Sequence, residues 1–123
     1  MSKKIVIVLI LIVIALALAA VILTFYSPSQ AGNSKLDDFA KCLALKNIVM
    51  YGTPWCEWCQ KQEALFGRAF QFISFSDCSK NPQECVAKGI NGTPTWIFPG
   101  GKKIQSYLTL EQLSQESGCE LPK

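Results

Sequence analysis

The chain has no histidine, only two methionines, and charged side chains at just 17% of its 123 positions. The first absence removes every metal site and catalytic triad that needs an imidazole. Copper carriers set a His or Met beside their cysteines, and Met1 and Met50 are ill placed for that. Charge is also sparse as a partner signal. Twelve Lys and Arg stand against nine Asp and Glu, and because two of the twelve are Lys3 and Lys4, the part after residue 26 carries ten against nine. A nucleic-acid footprint needs clustered excess Lys and Arg, and none is present. There is no internal repeat, and the length allows one small domain.

What is abundant is apolar, and it is concentrated at one end. From Ile5 to Tyr26, 21 of 22 residues are apolar, against 39 of 97 from Ser27 to Lys123. Every side chain from Ile5 to Leu23 is Ile, Val, Leu or Ala, a run of 19, which at about 1.5 Å per residue spans a hydrocarbon core of about 30 Å. The run exceeds the apolar core of a secretory signal, about 7 to 15 residues. An uncleaved anchor over residues 1–26 is therefore expected, with a signal cleaved at Ser29-Gln30-Ala31 as the alternative. Lys3 and Lys4 are the only charges before Lys35, so the positive-inside rule keeps the N-terminus cytoplasmic and sends the rest outward, with Tyr26 at the outer interface. An exported domain meets an oxidising space, where six cysteines pair or exchange.

Residues 27–34, Ser-Pro-Ser-Gln-Ala-Gly-Asn-Ser, have the composition of a flexible tether. Residues 35–123 then form the folded domain, small enough for disulfides to matter. Leu36, Phe39, Ala40 and Leu43 recur at helical period over Lys35–Leu45. Asn47–Tyr51 reads as a buried strand. Pro54, as a first helical residue, opens a helix to Arg68, and Gln71–Asp77 alternates as a second strand. Asn81, Pro82 and Glu84 read as N-cap, N1 and N3 of a short helix stopped by Gly89. Thr95–Phe98 and Lys103–Tyr107 form a hairpin across Pro99–Lys102. Thr109 and Gln112 make a capping box flanked by a Leu108/Leu113 staple. This order predicts a mixed four-stranded sheet with one right-handed parallel crossover and helices on both faces. That is the thioredoxin-like α/β layout, here preceded by one transmembrane helix.

Cys56 and Cys59 sit three apart where a strand hands over to a helix, and so share one face of its first turn. Unsatisfied N–H groups and the helix dipole favour a thiolate at Cys56, which is expected to have a depressed pKa and to attack, while the more shielded Cys59 resolves. Zinc held by Cys56, Cys59, Cys78 and Cys85 is the competing reading, weakened because the second pair lacks the tight spacing of a ribbon knuckle; a merely structural Cys56–Cys59 bridge is another. Pro94 is out of place in a core strand unless it starts the strand or follows a cis bond, and a cis Thr93–Pro94 bond would free the backbone at Thr93 to pair with an extended substrate beside the cysteines. Cys78 and Cys85 are expected as a structural staple, with a second redox pair as the alternative. Cys42 and Cys119 are expected to tie the first and last helices of the domain, or else to remain free or pair between chains.

Tyr51-Gly52, Trp55-Cys56-x-x-Cys59, Gln62, Leu65-Phe66-Gly67, Cys78, Cys85 and Ile90-x-Gly92-x-Pro94-Thr95-Trp96 together resemble the thioredoxin-like domain fused to, or working beside, vitamin K epoxide reductase-like membrane enzymes. The resemblance runs over most of residues 36–119. It implies that Cys56 and Cys59 exchange disulfides with a quinone-linked membrane partner and pass oxidising equivalents to secreted proteins, with no cofactor of their own. Trp55 joins Thr93 and Pro94 as a substrate-binding candidate. Two departures stand out. The partner's four-helix membrane domain is missing, so the chain would be a separate tethered partner. Met50 stands where thioredoxins carry a buried acid, and Glu57 is the only acid adjacent to the motif. The same chemistry run backwards, as a tethered reductant in cytochrome c maturation, is the alternative function; a zinc- or copper-binding module on the same fold is a more distant one.

Overall fold

Nineteen consecutive aliphatic residues leave a helix no polar face, and α1 (Lys3–Phe25) exposes apolar side chains all round in the computed structural model, which describes residues 1–25 and 35–123. At about 1.5 Å per residue α1 is about 35 Å long. It is long and apolar enough to cross a membrane, a property that a signal sequence near the N-terminus shares. Tyr26, the tether 27–34 and Ser29-Gln30-Ala31 lie outside the described residues. The chain divides into two units, Met1–Gly32 and Asn33–Lys123.

In the second unit, α2 (Lys35–Leu45) covers the expected range and buries Phe39, Ala40 and Leu43. Asp37 and Asp38 lie in its first turn, where carboxylates complement the helix dipole. The next strand starts two residues later than expected. Asn47 takes φ 56° to turn the chain out of the helix, a left-handed conformation that Asn tolerates, and β1 is Val49–Gly52.

The second helix also starts later than Pro54 suggests. Thr53-Pro54-Trp55 forms a turn in which the Cys56 N–H donates to the Thr53 carbonyl at 3.2 Å, and α3 is Glu57–Phe66 with Cys56 at its N-cap. After Gly67 the chain tightens into a 3-10 segment, Gly67–Phe72, so the strand expected from Gln71 begins only at Ser74. Phe70 packs on Phe66 and Phe75 through this segment, at 6.4 and 5.6 Å between ring centroids, and that packing outweighs the local alternation. β2 is Ser74–Asp77.

α4 is Pro82–Ala87. Asn81 holds its N-cap position without a side-chain cap, and Glu84 is drawn away from any capping role to the sheet. β3 (Thr95–Ile97) and β4 (Lys103–Ile104) form a shorter hairpin than expected, because Gln105, Ser106 and Tyr107 leave the ladder. α5 (Leu110–Ser117) has the full Thr109/Gln112 capping box, with Leu108 and Leu113 both buried.

The result is a mixed α/β unit with a four-stranded sheet in the order β2-β1-β3-β4, β1 and β2 parallel and the other pairs antiparallel. Side chains alternate across a sheet, so the register separates two faces. Met50, Phe75 and Trp96 are register partners on one face. That face receives α3, whose Phe66 lies 6.4 Å from Trp96, and α2, whose Phe39 stacks on Phe66 at 6.2 Å. Tyr51, Ser76 and Thr95 share the other face. There α4 is fastened by Glu84, which accepts from the Tyr51 hydroxyl at 3.1 Å and from Ser76 Oγ at 3.2 Å. Helices thus flank both faces, most of them on one.

Candidate functional site

The site begins where β1 ends. Gly52 closes the strand because a Cβ there would come within 2.9 Å of the Phe75 ring and 3.1 Å of Cys59 Sγ, so only a bare backbone lets α3 bring its second cysteine against the sheet. The turn over Thr53–Trp55 then delivers Cys56 to the N-cap of α3. There Cys56 Sγ accepts the Cys59 backbone N–H at 3.1 Å. A sulfur in this position faces N–H groups left without intrahelical partners and the positive end of the helix dipole, both of which favour negative charge on it. Cys56 is half-buried and Cys59 fully buried, 0% exposed. The two are disulfide-bonded with Cα atoms 5.2 Å apart.

Glu57 follows Cys56 directly, yet its carboxylate turns along the helix to Lys61 at 3.0 Å. Lys61 Nζ also lies 4.2 Å from the centroid of the Trp58 ring. The local acid is therefore matched by a cation one turn on, and the exposed pair acts in high dielectric.

Thr93 and Pro94 come to the same end of the sheet. The peptide bond between them is cis, and Thr95 Oγ1 donates to the Gly92 carbonyl at 2.6 Å to hold the preceding turn. With Trp58, Gln105, Ser106 and Tyr107 they line a surface groove of about 370 Å³. Trp55 is 74% exposed and lies outside that lining. So the structure brings two of the three substrate-binding candidates together with Trp58 and leaves Trp55 apart.

No family model matches the chain.

The other four cysteines form two bridges. Cys42 of α2 is bonded to Cys119 just past α5, with Cα atoms 6.0 Å apart across a separation of 77 residues. Cys78 is bonded to Cys85 of α4, Cα atoms 5.7 Å apart. The Cys78 N–H donates to the Gly52 carbonyl at 2.9 Å, continuing the β1–β2 ladder by one step. Alternation beyond Asp77 then places the Cys78 side chain on the Tyr51/Ser76 face, opposite Cys59. The sheet separates the two short bridges. Cys56, Cys59, Cys78 and Cys85 are therefore not gathered as four ligands, and among the described residues no group of three or more Cys, Asp or Glu is placed to hold a metal ion.

Tyr51 connects this second face to the site's own strand. Its hydroxyl is pushed above the ordinary tyrosine pKa first by burial, then by its hydrogen bond to Glu84 and the charge there. At the end of β2, Asp77 is held below the usual carboxylate range chiefly by the Ser79 hydroxyl.

Sequence reasoning named Thr93 and Pro94 but passed over the aromatic wall of the groove. Trp58 and Tyr107 face each other at 5.9 Å between ring centroids, with planes tilted by 52°. Tyr107 reads in sequence as the end of a strand, and only its departure from the ladder turns it towards the motif. Gln62, noted only within the resemblance, is fully buried and anchors α3: its Oε1 accepts from the Leu108 N–H at 2.8 Å and from Trp96 Nε1 at 3.4 Å, and its Nε2 donates to the Leu108 carbonyl at 2.9 Å. A glutamine among apolar helix positions was the available signal.

Proposed function

We propose that the chain is a membrane-anchored thiol-disulfide oxidoreductase whose thioredoxin-like domain works outside the cytoplasm. It exchanges disulfides between secreted proteins and a quinone-linked membrane enzyme of the vitamin K epoxide reductase-like kind, as the sequence resemblance implies. The observation that carries this reading is the asymmetry of the Cys56–Cys59 pair, with one sulfur reachable at a helix N-cap and the other sealed beneath it. Accessibility and thiolate stabilisation at one sulfur are what disulfide exchange requires.

A substrate thiolate attacks Cys56 Sγ, a substrate–Cys56 bond forms, the Cys56–Cys59 bond breaks, and Cys59 leaves as the thiolate. A second substrate thiolate attacks the substrate sulfur of that mixed disulfide and releases Cys56. The substrate is oxidised by two electrons and the pair becomes a dithiol. The partner's disulfide then accepts those two electrons and restores the bridge. Tethering both proteins in one bilayer raises their effective concentration without any new contact.

The test is trapping in membranes. A Cys59→Ser chain is expected to accumulate reductant-sensitive adducts with secreted proteins or with a polytopic quinone-linked protein, while Cys56→Ser gives none. Equal trapping by both variants would reverse the roles of the two sulfurs, and trapping by neither would overturn the oxidoreductase reading. Protease applied to spheroplasts checks orientation, since the cysteine-bearing domain is expected to be digested without lysis. Direction is read from the reduction potential, where about 30 mV corresponds to about 1.4 kcal/mol for the two-electron couple.

A further inference from the structure

We infer that the groove walled on one side by the contacting rings of Trp58 and Tyr107 selects substrates by the residue beside their reacting cysteine, favouring an uncharged aromatic or large apolar side chain there. This rests on the oxidoreductase reading and adds a substrate class to it. The groove is adjacent to the motif by construction, since Trp58 stands between Cys56 and Cys59 in sequence and forms one wall. At about 370 Å³ it has the size of a small ligand cleft, near the lower end of the roughly 300–1,000 Å³ range, enough for a single large side chain and its backbone.

All six lining residues, Trp58, Thr93, Pro94, Gln105, Ser106 and Tyr107, are uncharged. A charged occupant would lose water without meeting a counter-charge, which is costly. Lys61, the cation over the indole, is already engaged with Glu57. Trp58 nevertheless stays 54% exposed beside the tilted Tyr107 ring, so aromatic surface is on offer to an incoming ring. A third ring joining such a pair adds stacking or edge-to-face contact at low entropic cost. The opposite wall is polar: the Gln105 amide lies against Gly92, in the space a Cβ there would take. Thr93 contributes a hydroxyl to this wall, and Ser106 Oγ, which donates to the Tyr107 carbonyl at 3.0 Å, keeps its lone pairs to accept a substrate N–H. One side of the groove thus suits a flat side chain and the other a peptide chain.

The measurement uses the full-length Cys59→Ser chain in detergent and pentapeptides carrying one cysteine as a disulfide with a common small leaving thiol. The residue before that cysteine is Phe, Ser or Asp. The readout is the ratio of rates at which two peptides become attached to Cys56 on one preparation, so the intrinsic chemistry of the pair cancels. Phe is expected to exceed Ser by about fivefold, ~1 kcal/mol at 1.4 kcal/mol per factor of ten, and Asp to be slower than Ser. Adding Tyr107→Ala is expected to bring the Phe/Ser ratio close to one, and Tyr107→Phe, which keeps the ring, to preserve it. Equal rates for Phe and Ser in the parent, or a ratio that survives both Tyr107→Ala and Trp58→Ala, would overturn the inference while the exchange reading stands. If no peptide attaches to Cys56 faster than to an unstructured cysteine peptide, the exchange reading itself falls.

Discussion

The two short disulfides of this domain sit back to back on one sheet. Cys56–Cys59 follows β1 on the face that carries α2 and α3, and Cys78–Cys85 follows β2 on the face that carries α4. The strands are neighbours and parallel, and Gly52 touches both sites, through its carbonyl to the Cys78 N–H and through its missing Cβ to Cys59. Yet the surroundings differ. Cys56 caps a ten-residue helix and receives an N–H on its sulfur, whereas Cys85 lies inside a six-residue helix, 5% exposed, with the Glu84 carboxylate beside it tied to Tyr51 and Ser76. On the proposed function, what would separate an exchanging pair from a staple is the position of each sulfur relative to a helix N-terminus and to water, more than the number of residues between them.

The largest effect should come from breaking that contrast at the sulfurs. Cys56→Ser is expected to abolish exchange with a model disulfide, because the attacking thiolate is gone. Replacing Cys78 and Cys85 together by Ser is expected to leave exchange at Cys56 in place, since the sheet stands between the pairs. Loss of exchange in the folded double variant would mean that electrons pass through the second bridge, and the comparison would fail.

Stability should rank the bridges differently. On the chain-entropy account, closing a loop of 77 residues at Cys42–Cys119 contributes about 4.5 kcal/mol, against about 2.4 kcal/mol for the seven-residue separation of Cys78–Cys85. Paired Ser substitutions at each bridge, compared by urea unfolding of the full chain in detergent, are expected to differ by about 2 kcal/mol in that order. Equal losses would show that local tethering of α4 by Glu84 and its bridge outweighs loop length.

A smaller effect is expected at the residue the two sites share. Gly52→Ala would push a methyl group into the edge of Phe75 and towards Cys59 Sγ, and overpacking of this kind costs about 1–3 kcal/mol. Because the clash is on the Cys59 side, the exchange rate is expected to fall along with stability, while the Cys78–Cys85 bridge stays formed in peptide maps. A variant with parental stability and exchange would show that Phe75, at the edge of the sheet, yields freely.

How much of this was legible depended on whether a signal was local. Lys35–Leu45 and the Thr109/Gln112 capping box were read to the residue, because a 3.6-residue pattern and a cap both lie within one turn of chain. The Cys56–Cys59 and Cys78–Cys85 pairings followed from element order, whereas the Cys42–Cys119 bridge was one of two readings that the order left open. Errors fell where distant packing overrode a local pattern. Pro54 suits a helix start in isolation, but the Thr53–Cys56 turn delays it until the cysteine itself becomes the cap. Gln71–Ile73 alternates like a strand, yet Phe70 draws the segment into a 3-10 turn. Glu84 looked like part of a helix start and serves two strands 33 and 8 residues away. Gln62 bonds to Leu108, 46 residues on, a partner no local pattern names.

The smallest predicted effect sharpens the comparison from the Cys78–Cys85 side. The Tyr51 hydroxyl is held above its ordinary pKa by burial first and by Glu84 second, so folding favours its neutral form. In the unfolded chain the same group ionises near pH 10. Between that pH and the raised folded value the native state holds more protons than the unfolded state, so stability falls as pH rises. The contribution is complete below pH 10 and is lost as the pH climbs through the folded value. Tyr51→Phe removes a hydrogen bond to a carboxylate and is expected to cost about 1–2 kcal/mol at neutral pH. The gap between parent and variant should narrow above pH 10, because the variant has no buried hydroxyl to ionise. Glu84→Gln should keep the ring in place and shift the onset of the loss only slightly, since burial is the larger cause. Unfolding midpoints of the three chains across the alkaline range provide the check, and a constant gap between parent and Tyr51→Phe would show that the hydroxyl contributes nothing to the pH dependence of the face that carries α4.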